Sequence, residues 1–126
     1  MANTKIEQLR ILVAEILKEG STNFGRVNAL TTELKNLRSL RVSRKMTTEE
    51  IDNLLLQLPQ PITVTEKVAV EDWVEYDLWK WTVIAKAKPS KSLKKDMLTK
   101  KGIFWEHASF IQKEEFKNIF SVVEKM

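Results

Sequence analysis

Apolar residues in the first third of the chain recur every three or four positions, which is the spacing of one face of an α-helix. Two stripes show this spacing: Ile6, Leu9, Val13 and Ile16, then Val27, Leu30, Leu34 and Leu37. Both stripes share one heptad register, and Gly20 and Asn23 occupy the core positions between them. Because these two residues suit a helix end and a helix cap, the pattern predicts a helical hairpin with helices near 4–19 and 23–42. One long broken helix that pairs with a second copy is the alternative.

A third helix is predicted after this hairpin. Thr47 and Glu50 have the spacing of a capping box, in which each side chain bonds the backbone N–H of the other residue. An apolar face follows: Ile51, Leu54, Leu55 and Leu58. Pro59 and Pro61 end the helix, because proline has no N–H to continue it.

The pattern changes beyond Pro61, where residues 62–70 are rich in β-branched side chains and predict a strand. Residues 73–87 fit two interpretations. A helix would have one apolar face: Val70, Val74, Leu78, Trp81 and Ala85. A strand would have one set of alternating apolar residues: Trp79, Trp81, Val83 and Ala85. The density of aromatic and β-branched residues over 79–84 favours a β-hairpin, with a helix as the alternative.

Two helices are predicted at the carboxyl end. The first covers residues 92–101 and stops at Gly102, and the second begins after Ser109, whose hydroxyl can cap it. The second helix has a set of residues expected to face inward: Phe110, Phe116, Ile119, Phe120 and Val123.

The predicted fold class is therefore α+β and mostly helical. A length of 126 residues favours a single domain, 1–126. Its helical part, 1–58, contains the helical hairpin and the third helix. Its aromatic-rich α/β part, 62–126, contains the strand pair and the carboxyl-terminal helices. All four tryptophans lie in this second part, so its core is expected to be aromatic.

The composition limits the compartment and the chemistry. The chain has no cysteine, which excludes disulfides and thiolate metal sites and fits a reducing compartment. Residues 1–5 lead into an amphipathic segment rather than an apolar signal core, and no apolar run approaches the roughly 18 residues that a membrane span needs. We therefore expect a cytoplasmic protein that does not enter a membrane.

Few residues suit catalysis, and we do not expect an enzyme or a cofactor. Three glycines make no phosphate-binding loop, and the single histidine, His107, makes no metal cluster. Asp72, Glu75 and Asp77 are close enough in sequence to hold a divalent cation. We favour a solvated acidic rim there, and so predict no catalytic residues and no metal site.

The charges are sorted into blocks that nearly cancel in the net charge of +4. Residues 1–45 carry +5, residues 46–77 carry −7, residues 78–105 carry +7, and residues 106–126 carry −1. The electric field close to each block depends on the charge of that block, so a block attracts a polyanion or a charged partner more strongly than the small net charge suggests.

The two basic blocks provide the candidate binding residues. The first cluster is Lys35, Arg38, Arg41, Arg44 and Lys45. It either binds phosphates or pairs with the acidic residues of the third helix: Glu49, Glu50 and Asp52. The second cluster is a lysine-rich loop whose candidate residues are Lys91, Lys94, Lys95, Lys100 and Lys101. It runs into Phe104 and Trp105, which either stack on bases or, as we favour, belong to the core.

The leading functional hypothesis is a small non-catalytic nucleic-acid-binding or regulatory accessory protein. Both basic clusters would contact the phosphate backbone of DNA or RNA. The alternative is a protein–protein interaction module, such as an adaptor, inhibitor or assembly factor, and in that case a homodimer is expected. Alternating charge zones suit a complementary partner surface.

Overall fold

The computed structural model describes residues 4–20, 24–59 and 67–125, and all regular secondary structure in these ranges is helical. It comprises α1 (Thr4–Glu19), α2 (Phe24–Ser43), α3 (Glu49–Gln57), α4 (Val70–Ala87), α5 (Lys91–His107) and α6 (Phe110–Glu124). The chain divides into two compact units, Met1–Val68 with α1 to α3 and Ala69–Met126 with α4 to α6. Within the described ranges, no helix has the length and hydropathy of a membrane span.

The predicted α+β class is wrong, because the expected β-hairpin is the helix α4. This helix buries four of the five residues of the helical alternative: Val74, Leu78, Trp81 and Ala85. Both α5 and α6 pack on α4, so the tertiary contacts of its apolar face outweigh the weak β propensity of its aromatic and β-branched residues. Most of the strand predicted over 62–70 lies outside the described residues, and Val70 begins α4.

The two amino-terminal helices have the bounds that their apolar stripes predict, within one residue. Two ion pairs show that they run antiparallel: Lys5 Nζ lies 3.4 Å from Glu33 Oε1, and Arg26 Nη1 lies 3.4 Å from Glu19 Oε2. Gly20 follows α1 with φ of +61°, a conformation that favours glycine and excludes one continuous helix.

The third helix begins one residue later than the capping box requires, so that prediction is wrong. Its N-cap is Thr48, which makes no side-chain capping bond. The Thr48 hydroxyl instead donates to Asp52 Oδ2 at 3.1 Å, the Thr47 hydroxyl accepts from the Glu49 N–H, and Glu50 pairs with an arginine of α1. The predicted apolar face is largely buried: Ile51, Leu54 and Leu58 are buried and Leu55 is half-buried.

An aromatic cluster forms the core of the second unit, as the sequence predicts. Trp81 is fully buried, and its ring centroid lies 5.5 Å from those of both Phe104 and Phe116. Val123 of α6 is also buried, whereas Phe110 is 77% exposed, so its predicted inward position is wrong.

The predicted stop of α5 at Gly102 is wrong, because the helix continues to His107. Burying Phe104 contributes about 1.5–3 kcal/mol, which exceeds the ~1 kcal/mol that a glycine costs inside a helix. The next helix starts as predicted, because Ser109 and Gln112 form a capping box.

Candidate nucleic-acid interface

One face of α5 has a row of lysines that ends at a tryptophan. Lys91, Leu98 and Trp105 are seven positions apart, and two helical turns return side chains to nearly the same direction. Three further lysines flank this line by steps of three or four residues: Lys94, Lys95 and Lys101. We call these six residues the α5 stripe. The helix predicted over 92–101 is confirmed and begins at Lys91, so the candidate lysines predicted to lie in a loop lie on a helix and form a row along it.

A surface groove of about 370 Å³ lies at the amino-terminal end of the α5 stripe. It is lined by Ser90, Lys91, Lys94, Lys95, Leu98, Thr99 and Val123. The Ser90 hydroxyl accepts from the Leu93 N–H at 3.2 Å, and the Thr99 hydroxyl donates to the Lys95 carbonyl at 2.8 Å. The two hydroxyls are used in hydrogen bonds within the helix, so the ammonium groups of three lysines give this groove its positive charge, and Leu98 and Val123 give it an apolar part.

A cluster of three ammonium groups surrounds Trp105 at the other end. Lys101 Nζ lies 5.2 Å from the ring centroid, Lys113 Nζ lies 5.8 Å away, and Lys117 Nζ lies 5.9 Å away. These distances are within the range of cation–π attraction. The half-buried indole meets Phe116 edge-on, with centroids 5.5 Å apart, so the core fixes its position. We call these three lysines and Trp105 the Trp105 cluster.

The groove and the Trp105 cluster belong to one surface, because α5 and α6 run antiparallel. Val123, near the end of α6, borders the groove, whereas Lys113 and Lys117, nearer its start, adjoin Trp105. From Lys91 to Trp105 the helix rises about 21 Å at ~1.5 Å per residue. We call this surface the α5–α6 face. It carries the ammonium groups of Lys91, Lys94, Lys95, Lys101, Lys113 and Lys117. The Lys117 ammonium group lies 3.4 Å from a carboxylate oxygen of Glu114.

Lys100, a predicted binding residue, lies on the opposite side of α5 and takes part in a charge network around the buried Lys80, which we call the Lys80 network. Lys80 Nζ of α4 lies 3.4 Å from both Asp77 Oδ1 and Asp96 Oδ2, and Lys100 Nζ lies 3.6 Å from Asp77 Oδ1. The Trp81 N–H donates to Asp96 Oδ2 at 2.8 Å. Asp96 is the one acidic residue between 78 and 105, and this network holds it away from the lysine row, which leaves Glu106 as the other carboxylate of α5.

Two arginines of the first basic cluster bond to other groups of the first unit, and one of them pairs with an acidic residue of the third helix, as the alternative interpretation predicts. Arg38 Nε donates to Asp52 Oδ1 at 2.7 Å, and this hydrogen bond lowers the pKa of the Asp52 carboxyl below its ordinary value of 3.8. Arg41 is buried, and its guanidinium donates to the Thr47 carbonyl at 3.5 Å. Lys35 is exposed beside Asp52, at a shallow depression.

The last two residues of this cluster, Arg44 and Lys45, are exposed but lie beyond the end of α2. Lys45 has φ of +56°. The Met46 N–H bonds to the Arg41 carbonyl at 2.8 Å, and the Lys45 N–H bonds to the Val42 carbonyl at 3.1 Å, which is a Schellman motif. Lys45 therefore does not continue the helical row of the earlier basic residues.

The acidic residues considered for a metal are placed on α4. Asp72 and Glu75 are one turn apart, whereas Asp77 faces Lys80 and Lys100. Across residues 4–20, 24–59 and 67–125, no three acidic or histidine side chains are arranged to hold a metal ion. His107 is the exposed last residue of α5.

Comparison of the chain with protein-family models, with curated proteins and with solved structures finds no match. The arrangement of the α5–α6 face therefore carries the functional argument. Lys113 and Lys117 are not among the residues predicted from the sequence, although their spacing of four marks one side of α6. The seven-residue spacing that connects the groove to Trp105 is visible in the sequence only if α5 continues past Gly102.

Proposed function

We propose that this protein binds DNA or RNA without catalysis and holds the phosphate backbone against the α5–α6 face. The observation that carries the proposal is the row of six ammonium groups along about 21 Å of one surface. Such a row matches a polyanion, which presents phosphates at regular intervals.

The energetics of the free protein support an anionic partner. Lysines three or four residues apart repel each other by a few tenths of a kcal/mol per pair. The Lys80 network directs Asp96 away from these lysines, so Asp96 does not offset their repulsion. Binding a polyanion relieves the repulsion and releases the counterions condensed on the phosphates.

The first basic cluster has a smaller part in this proposal. Arg38 and Arg41 are engaged inside the first unit, which leaves three exposed cations there: Lys35, Arg44 and Lys45. These three offer a matched control for the α5 lysines, because the same number of charges can be removed from either unit.

The test is fluorescence anisotropy with labelled oligonucleotides between about 50 and 200 mM salt. Six phosphate contacts predict a log–log salt slope of about −4 for single strands and about −5 for duplex DNA. The variant with Lys91→Gln, Lys94→Gln and Lys95→Gln should bind more weakly and flatten the slope by about two for single strands and about three for duplex DNA.

The control variant carries Lys35→Gln, Arg44→Gln and Lys45→Gln, and it should change affinity far less. If the wild-type protein does not bind oligonucleotides at low salt, the proposal is wrong. Equal losses in the two triple variants would refute the assignment of binding to the α5–α6 face.

A second candidate function, a protein-interaction module, is favoured by apolar residues near the turn between α5 and α6. Ile103 is 67% exposed, Phe110 is 77% exposed and Ile111 is 69% exposed. Exposed apolar groups of this size are typical of interaction sites when they form a patch. A dimer in sedimentation equilibrium that dissociates on Phe110→Ser and Ile111→Ser, together with no affinity for nucleic acid, would support this function instead.

A further inference from the structure

We infer that the nucleic acid at the α5–α6 face is single-stranded, with Trp105 stacked on an unpaired base and the lysines of the Trp105 cluster bound to the flanking phosphates. This inference rests on the proposed function, and it names the kind of nucleic acid that the same face would select.

The surroundings of Trp105 make it suitable as a stacking surface. The indole is half-buried, and it meets Phe104 at 6.2 Å and Phe116 at 5.5 Å between centroids. These contacts hold the ring in place before a ligand arrives, so little conformational freedom is lost on binding. The other three tryptophans of the chain lie on α4, away from the lysine row.

The ammonium groups near the ring do not prevent stacking, because phosphates compete for them. Lys101, Lys113 and Lys117 extend flexible stems from exposed or half-buried positions. A charge-assisted hydrogen bond to phosphate is stronger than a cation–π contact at an exposed site. The lysines are therefore expected to move from the ring to the backbone, which makes the indole face available to a base.

A duplex cannot use this arrangement fully. Its bases present only their edges in the grooves, and their faces are stacked on each other. A single strand presents both an unpaired base and its phosphates to the same spot, which is the combination found in proteins that bind single strands. The ring therefore adds affinity for single strands only.

The length of the face sets the length of strand that fills it. The distance of about 21 Å from Lys91 to Trp105 corresponds to roughly six nucleotides at about 3.4 Å per nucleotide of stacked strand. Affinity for oligothymidylates should therefore rise steeply from three to six nucleotides and change little beyond that length.

The experiment compares Trp105→Leu with Trp73→Leu, a half-buried tryptophan of α4 that contacts Tyr76. Each variant is titrated with a 15-nucleotide oligothymidylate, the matching duplex and inorganic polyphosphate. Trp105→Leu should weaken single-strand binding by about fivefold or more, with duplex and polyphosphate binding changed less than twofold. Trp73→Leu should leave all three unchanged.

A second measurement applies even if Trp105→Leu does not fold. Oligothymidylate should quench tryptophan fluorescence of the wild-type protein, and Trp105→Phe should retain binding while losing most of that quenching. Quenching that persists in Trp105→Phe overturns the inference, as does an equal loss of single-strand and duplex affinity in a Trp105→Leu protein whose circular dichroism matches that of the wild type. Either result leaves the lysine-dependent binding of the proposed function intact, whereas a failure of all nucleic-acid binding removes both.

Discussion

The substitution Lys80→Met, which removes the buried lysine of α4, should lower the free energy of unfolding of the second unit by about 2–3 kcal/mol. The Lys80 side chain is 2% exposed, and its ammonium group lies 3.4 Å from both Asp77 and Asp96. Removing one member of a buried ion pair typically costs about 3–5 kcal/mol, because the remaining charge is left in a poorly solvated site. Here we expect a loss below that range, since Asp77 keeps Lys100 and Asp96 keeps the Trp81 N–H.

A double-mutant cycle separates this electrostatic effect from the loss of packing. Asp96→Asn retains an oxygen that can accept from the Trp81 N–H but removes the charge that faces Lys80. In Lys80→Met with Asp96→Asn, less charge is left uncompensated, so the two losses should not add. We expect a coupling free energy of about 1 kcal/mol or more.

Urea unfolding followed by tryptophan fluorescence is a suitable assay, because all four tryptophans lie in the second unit. The free energy of unfolding is obtained by linear extrapolation for the wild-type protein, both single variants and the double variant. The reasoning is refuted if Lys80→Met is as stable as the wild-type protein, or if the effects of the two substitutions are additive.

Three further predictions concern single residues at helix ends and on the surface. Lys45→Gly should stabilise the first unit by about 0.5–1 kcal/mol, because Lys45 has φ of +56°, a conformation that favours glycine. The control is Lys45→Ala, and the measurement is urea unfolding followed by circular dichroism, in which an unchanged midpoint for Lys45→Gly would contradict the prediction. Ser109→Ala should cost about 1 kcal/mol through loss of the capping box, and Ser109→Asp should recover it in the fluorescence assay. The lowered pKa of Asp52 predicts that its bond to Arg38 stabilises the fold above pH 3.8 and that this stabilisation is lost as the pH falls further. The difference in unfolding midpoint between the wild-type protein and Arg38→Gln should therefore shrink only below that pH.

The amino-terminal helices and the start of α6 could be predicted because their local signals agree with their packing. The stripes of α1 and α2 become buried faces, and Ser109 has a glutamine three residues later that completes the cap. Local preference and tertiary packing conflict in α4, where the aromatic residues indicate strand but are buried as a helical face. At Gly102 the local stop signal is overridden by the burial of Phe104 two residues later.

The candidate site was only partly predictable for the same reason. Charge alone identifies Lys91, Lys94 and Lys95, but it also includes Lys100, which faces Asp77. Charge cannot show that Lys113 and Lys117 meet Trp105, because this contact depends on the antiparallel packing of α5 and α6. Residues that share a sequence block can therefore lie on opposite sides of one helix.

The inward direction of Asp96 also has a kinetic consequence. Because α5 keeps its lysine row on one side and holds Asp96 in the Lys80 network on the other, the helix carries an electric field that is asymmetric across its axis. Under the proposed function, this field would orient an approaching polyanion before contact, so association should be fast at low salt and slow down steeply as salt is added. The dissociation rate, in contrast, would depend on the lifetime of the stacking contact between Trp105 and a base. Substitution of the lysines should therefore change mainly the association rate, and substitution of Trp105 mainly the dissociation rate.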